Sequence, residues 1–520
     1  MTGRPRFRRA AAWIGFLACL GLSGTGAAEV QPAYETKLEW KACWFQGEFD
    51  WPEMECGVLE VPENRAKPAG RKVRLPFVIF KAFEPDDRKL PVLVTGGGGP
   101  GNPVGIPTST SDKMYETAWS NTSAMSVYNG RDLIVVDNRG VGSAQPRLDC
   151  PEISAMAIRE LEAPSALAEG VKKSARAYAA CRERLLKAGI DINAYNNVTA
   201  AQDIEDLRVA LGLPVLNLYG VSYGTRIALT YLRDFPRTIN AVVLDGVDAP
   251  EVRLFEYIPK LSYESIKRVF DLCRDDASCR TRYGADLYAR FLAFLPQLEE
   301  APIALRVTDP KSMMPLEIVL TPELLVHTLY ATIYFNDNIG LVPRAVAALM
   351  NGSLDYIAEL VRDQVVSFIT VGPLDYGAYA SYQCHGIVPY NDLSHALEEA
   401  SKYPVQSYMN HGWIHYEKAM CEAWQAADGG PIEAEAVASN VPVLLYSGEY
   451  DPITPHSAAL SAARTLRNAR VKEWPGIAHN VLSMSYCADR IAGAFYDNPF
   501  RNPLGDSCLQ DEAPPKLEFY

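Results

Sequence analysis

The sequence predicts an α/β fold: a mostly parallel sheet with helices on both faces and a helical insertion over one end. Three observations predict it. Short apolar runs at residues 91–95, 133–136, 215–219, 241–244 and 441–446 have the length and composition of strands buried on both faces. Helical periods alternate with several of them, as in successive strand–helix units. Glycine-rich or polar loops follow the runs, at the carboxyl ends where parallel sheets collect their chemistry.

In chain order, residues 1–28 come first and read as an export signal. Arg4, Arg6, Arg8 and Arg9 precede an apolar stretch at 10–22, and Gly26-Ala27-Ala28 offers a cleavage point. Cys19 follows Phe16-Leu17-Ala18, a poor match to a lipidation site. The expected location is therefore periplasmic or extracellular. Of the 11 cysteines, those after Cys19 are even in number, which suggests disulfides in an exported chain. Connectivity is not readable from spacing, and neighbour pairing (43–56, 150–181, 273–279, 384–421, 487–508) is the simplest arrangement. The absence of C-x-x-C removes the usual zinc-ribbon and thioredoxin patterns. A net charge of −13, more negative once the leader arginines are removed, argues against a nucleic-acid partner. No later run of about 18 apolar residues predicts stable membrane insertion. The oligomeric state is left open.

Residues 29–250 read as the N-terminal part of the core. Alternating runs at 58–61 and 73–83, with turn residues between, predict an antiparallel hairpin. The strand at 91–95 empties into Gly96-Gly97-Gly98-Gly99-Pro100-Gly101, and that at 133–136 into Asp137-Asn138-Arg139-Gly140. An amphipathic helix is expected at 200–211. Residues 251–381 change character to helical periods with few strand signals, and are expected to form a lid over the strand ends. Thr321-Pro322-Glu323 opens one of these helices, at 324–334, with an N-cap and a proline at the first helical position. Residues 382–520 return to the core, with strands at 441–446 and 471–474 and a final helix at 488–495.

The chemistry centres on Gly220-Val221-Ser222-Tyr223-Gly224, between the strand at 215–219 and a helix carrying Ile227, Ala228, Tyr231 and Leu232 on one face. Glycines two before and two after the serine let strand and helix approach and permit a strained backbone at Ser222, the arrangement of a nucleophile elbow. A serine hydroxyl needs a base, for which histidine is suited, and a carboxylate to orient that base. Asp451 and then His479 follow in that order on loops after strands. Asp451 is preferred to Glu449 as the acid. His327 and His395 are expected on helices as ordinary residues. His411 and His415 have an i, i+4 spacing without the glutamate of a metalloprotease helix, and His456 is too close to Asp451 to be the base. The amides of Tyr223 and Gly99 are the expected oxyanion donors. No metal or organic cofactor is implied.

In combination, Gly98-Gly99-Pro100-Gly101, Asp137-x-Arg139-Gly140-x-Gly142-x-Ala144, Gly220-Val221-Ser222-Tyr223-Gly224, Asp451-x-x-Thr454-Pro455 and Gly476-x-x-His479 resemble the proline iminopeptidase / tripeptidyl aminopeptidase family of α/β-hydrolases, nearest its exported tripeptidyl branch. The resemblance runs from Lys37 to Cys508. It implies the α/β-hydrolase fold, a Ser222–Asp451–His479 triad, and a serine exopeptidase acting on free N-termini through an acyl-enzyme. Carboxylesterases are among the relatives, so a peptide or a small ester is the implied substrate. A catalytically dead binding protein on the same scaffold is the reading from outside the enzymes. Gly97 stands where the family commonly has histidine. Gln383-Cys384-His385-Gly386 lacks the acid that many relatives carry after this cysteine, leaving Asp245, Asp248 or Glu256 to grip a substrate amine.

Overall fold

A computed structural model describes residues 34–45, 53–96, 99–106, 130–371, 374–403, 405–501 and 508. The leader, Cys19, Gly97 and Gly98 lie outside the described residues.

The sheet holds nine strands: β1 (Lys37–Lys41), β2 (Met54–Pro62), β3 (Lys72–Phe80), β4 (Val92–Val94), β5 (Leu133–Val136), β6 (Leu216–Val221), β7 (Ile239–Asp245), β10 (Ser439–Gly448) and β11 (Leu466–Trp474). They lie in the order β1-β2-β3-β5-β4-β6-β7-β10-β11. β1, β2, β3 and β5 pair antiparallel in succession, and every pairing from β5 to β11 is parallel. The parallel strands are apolar on both sides because both sides are covered. Leu93, Ile134, Leu218, Val242 and Leu445 enter one core, and Val94, Val135, Tyr219, Val243 and Leu444 enter another on the opposite face.

The first covering helices are α1 (Pro151–Glu162), α2 (Leu167–Lys187), α3 (Asn197–Ala210) and α4 (Tyr223–Asp234). The N-terminus of α3 is fixed by a capping box between Asn196 and Thr199. Between β7 and β10 the chain builds a helical layer with its own apolar core. Its helices include α5 (Leu254–Asp275), α6 (Ala277–Tyr283), α7 (Leu287–Glu300), α8 (Pro322–Thr332), α9 (Leu341–Met350) and α10 (Asp355–Val361), whereas α11 (Tyr376–Gly386), α12 (Leu393–Ser401) and α13 (Gln406–Trp424) bury residues mainly in the core of the sheet. The Thr321 hydroxyl caps α8 by accepting from the Leu324 amide at 3.2 Å, as its sequence predicts, and the helix ends at Thr332.

This layer also contains an antiparallel hairpin, β8 (Ile303–Thr308) and β9 (Pro315–Leu320), where mainly helix is expected. Each strand is only six residues long and buries one face, through Leu305, Val307, Ile318 and Leu320. So short an alternation is easily absorbed into flanking helical periods. Helices α14 (His456–Ala463) and α15 (Tyr486–Asp497) complete the core. Five disulfides join Cys43–Cys56, Cys150–Cys181, Cys273–Cys279, Cys384–Cys421 and Cys487–Cys508, each cysteine bonded to its neighbour in sequence.

Candidate active site

Ser222 sits between the end of β6 and the first residue of α4 with φ 55° and ψ −127°. Positive φ in a non-glycine residue is strained and persists only where the surroundings enforce it. Here both flanking glycines are required. A Cβ on Gly220 would lie 2.7 Å from the Gly224 carbonyl oxygen, and one on Gly224 would lie 2.5 Å from that of Gly96. The loop after β4 is thereby pressed against the start of α4. Thr95 reinforces the contact, its hydroxyl donating to the Gly224 carbonyl at 2.7 Å.

The backbone amide of Ser222 donates to the Asp245 carbonyl at 2.8 Å. The next residue, Gly246, faces the His479 imidazole, and a Cβ there would stand 3.0 Å from its Cε1. The serine backbone and the imidazole therefore flank one peptide unit at the end of β7. His479 Nδ1 meets Asp451 Oδ2 at 2.8 Å. Asp451 is held in turn: its Oδ1 accepts from the amides of Ile453 (2.9 Å) and Thr454 (2.8 Å), and its Oδ2 accepts from the Thr454 hydroxyl (2.6 Å). Asp451 is buried and the imidazole nearly so. Burial alone would lower the His479 pKa, but the Asp451 carboxylate and its hydrogen bond, helped by Asp245, leave it raised above the ordinary value.

Glu449, the rival acid, is turned away and accepts from the Gly476 amide at 2.8 Å. His456 is engaged with the Ser447 hydroxyl at 2.7 Å. The His411 and His415 rings meet edge-on on α13, their centroids 4.8 Å apart. Among the described residues, the cluster with metal-ligand spacing, Cys150, Glu152 and Cys181, contains a disulfide. Of the expected oxyanion donors, the Tyr223 amide begins α4, its ring buried and its hydroxyl donating to Asn197 at 2.5 Å. Gly99 adopts φ +70° in the loop after β4, and its carbonyl accepts from Asn102.

The three acids considered for a substrate amine are all occupied. The buried Asp245 carboxylate accepts the Val481 and Leu482 amides at 3.0 and 2.9 Å, tying the histidine loop to β7. Burial raises its pKa to about 6. Asp248 pairs with the buried Arg226, and Glu256 with Arg253 and the Asp392 amide. Asp137 and Arg139 are buried too: Asp137 accepts from Val104 and Ser143, while Arg139 pairs with Asp203, so this motif braces the loops beside the site.

The helical layer adds contacts that motif reading does not find. The Tyr334 ring stands edge-on to His479 at 5.5 Å, and the Tyr330 hydroxyl donates to the Pro452 carbonyl at 3.0 Å. Asn336 clamps the histidine loop with both amide atoms, donating to the Gly476 carbonyl (2.6 Å) and accepting from the Ala478 amide (2.7 Å). A cavity of about 200 Å³ lies beside Asp451 and His456, and another of about 500 Å³ beside Arg226 and Tyr390. An imidazole oriented through Nδ1, next to a strained serine, can carry out proton-assisted acyl transfer.

Residues 92–367 match the family model for the alpha/beta hydrolase fold, and residues 405–508 match that for TAP-like protein. The chain is similar to the serine protease Hip1 of Mycobacterium tuberculosis, 23% identical over 96% of both chains. It is also 30% identical to the tripeptidyl aminopeptidase of Streptomyces lividans, over 41% of this chain and 38% of that one. A putative hydrolase of Escherichia coli, YuaR, is 29% identical over 41% of each.

Proposed function

Because the chain belongs to the α/β-hydrolase fold family, carries a TAP-like C-terminal section and is a hydrolase, we propose that it is an exported serine exopeptidase. It releases residues or short peptides from free N-termini, with Ser222, His479 and Asp451 as its triad. The observation that carries this reading is the meeting of a strained Ser222 with a carboxylate-oriented His479 across one peptide unit.

In this mechanism His479 Nε2 removes the Ser222 proton as Oγ attacks the scissile carbonyl. The negative charge on the tetrahedral oxygen is held by the amides of Tyr223 and Gly99. His479 then gives its proton to the departing amine, the C–N bond breaks, and the N-terminal fragment remains esterified to Ser222. Water, deprotonated by the same imidazole, cleaves the ester and restores the serine. Asp451 keeps the proton on Nδ1 and stabilises the imidazolium. The helical layer meets this machinery through Tyr334 and Asn336, and would act as a lid admitting chain ends rather than folded surfaces.

Relatives named serine protease and tripeptidyl aminopeptidase support peptide substrates. Five disulfides and the basic-apolar leader support export. Among the described residues no helix is long and apolar enough to cross a membrane. A carboxylesterase using the same triad is the second reading, favoured by the occupation of Asp245, Asp248 and Glu256. The test compares a tripeptidyl anilide bearing a free amine, its N-acetyl form and a short nitrophenyl ester. Amide cleavage that falls on acetylation establishes the aminopeptidase. Ester turnover alone overturns it in favour of the esterase.

A further inference from the structure

We propose, resting on the Ser222 machinery of the proposed function, that Asp375 is a positioning residue for the oxyanion site: with Arg147 it fixes the loop that carries Gly99. Helix α11 lies behind both expected oxyanion donors. Its start is packed onto the loop after β4, where the Asp375 amide donates to the Gly101 carbonyl at 2.9 Å. Gly101 has φ +88°, and a Cβ there would stand 2.8 Å from the Asp375 carbonyl oxygen and 3.1 Å from the Tyr379 nitrogen. Only glycine fits this contact. Two turns along the helix, the Tyr382 ring meets that of Tyr223, the other donor, edge-on at 6.1 Å.

The Asp375 carboxylate is directed away from its own helix. An aspartate in front of a helix ordinarily caps it by accepting from amides two or three residues on, and Asp375 makes no such bond. Its Oδ2 accepts instead from the Gly142 amide at 2.7 Å, and its Oδ1 from Arg147 Nε at 2.5 Å. Gly142 lies in the loop after β5, and a Cβ on it would stand 2.6 Å from Pro103 Cβ, so the two loops touch. In the same loop Asp137 accepts from the Val104 amide at 2.7 Å. The 99–104 loop is thus held at Gly101 by the backbone of Asp375 and at Val104 by Asp137. The Asp375 carboxylate ties these two anchors together.

Asp375 is fully buried, whereas Arg147 is 42% exposed. A buried carboxylate is costly to keep ionised without its cation. The charged groups beside Asp375 come from the segment after β5: Arg147 favours its ionised form and Asp137 opposes it. The loop at 99–104 carries no titratable group, and burial keeps Tyr376 and Tyr379 of the helix itself neutral. Burial outweighs Arg147 and leaves the Asp375 pKa at about 6. Only the ionised carboxylate accepts fully from Gly142 and Arg147 together, so the grip on the loop depends on that charge and on its arginine.

The experiment uses the full chain with a free-amine tripeptidyl anilide and a short nitrophenyl ester, and follows kcat and KM across the acidic limb. Asp375→Asn keeps the backbone bond to Gly101 but loses the charge shared by Gly142 and Arg147. On whichever substrate wild type cleaves, kcat should fall about 10- to 100-fold with KM within about twofold, less than the loss from deleting an oxyanion donor. Arg147→Gln removes the cation that holds the Asp375 pKa down. Asp375 and His479 must then both lose protons in the same range, so the acidic limb of kcat should steepen and move to higher pH. Arg147→Lys keeps the charge and should restore the limb. The Arg147 pair decides even where Asp375→Asn does not fold. If wild type cleaves neither substrate and Ser222 resists a fluorophosphonate, the Ser222 reading itself fails. If wild type is active and Asp375→Asn keeps its kcat, the role of Asp375 alone is overturned. A loss in Arg147→Gln that is equal at every pH and is not restored by lysine overturns it too, and leaves a merely structural tie.

Discussion

The strand ends and the helical layer differ in how they hold side chains. At the strand ends Ser222, Asp451 and His479 sit on backbone that the sheet fixes. Ser222 is pinned by Gly220, Gly224 and the Asp245 carbonyl, and Asp451 by two amides and a hydroxyl. In the helical layer, residues reach the site one side chain at a time, Tyr334 by its ring edge and Asn336 by its amide. The difference implies that substitutions at the strand ends act on chemistry by orders of magnitude, while those in the layer act by small factors on positioning and selectivity. Ser222→Ala gives the largest effect. Removing the proposed nucleophile should lower kcat by about 10⁶-fold with little change in melting temperature, read by burst kinetics and by loss of fluorophosphonate labelling. Retention of amide turnover by this variant breaks the comparison at its strongest point.

Asp451→Asn comes next. The imidazole loses the partner that fixes its tautomer, and kcat should fall about 10⁴-fold, as loss of a triad carboxylate does elsewhere. The pH profile supplies the sign. Asp451 raises the His479 pKa, so the neutral base accumulates, and activity rises, only above the ordinary histidine value of about 6.5. Without the carboxylate the acidic limb should move to lower pH even as the rate drops. For stability the same raised pKa works in the opposite sense: its contribution is complete below pH about 6.5 and is lost as pH rises through the folded-state value. An acidic limb that stays in place in Asp451→Asn contradicts the assignment of Asp451 as the group that raises the histidine.

Asn336→Ala tests the layer's grip on the histidine loop. It leaves the Gly476 carbonyl and the Ala478 amide without their buried partner, at a cost of about 2 kcal/mol. With His479 less firmly placed, kcat should fall about tenfold, and crystal or NMR data should show the 476–479 loop displaced. Asn336→Asp keeps the acceptor for Ala478 and should recover part of the loss.

The sequence makes the strand ends far more legible than the layer, for a physical reason. A strand buried on both faces must be continuously apolar, so β4, β5, β6, β7 and β10 announce themselves, and the turn at Ser222 announces itself through the two glycines its geometry needs. Asp451 and His479 follow as loop residues after such strands. In the layer, helical period identifies α5, α7 and α8 but not what each open face lines, and it hides the short β8–β9 hairpin. Acids are the least legible of all. Asp245, Asp248 and Glu256 look available until tertiary structure supplies their donors.

The smallest expected effect lies where the two regions touch. Tyr334 presents its ring edge to His479 at 5.5 Å and an interplanar angle of 74°, and its hydroxyl donates to the Tyr330 hydroxyl at 3.4 Å. An aromatic contact of this geometry is worth about 1 kcal/mol beyond the area it buries. Tyr334→Phe retains the ring and should leave kcat/KM within about twofold. Tyr334→Ala opens one side of the imidazole to water and should lower kcat/KM about fivefold, mainly through kcat. If the layer acts on the histidine by packing, Phe and Ala must separate in this way. Equal losses in both would assign the effect to the hydroxyl pair with Tyr330, and so to the alignment of α8 rather than to the ring on the base.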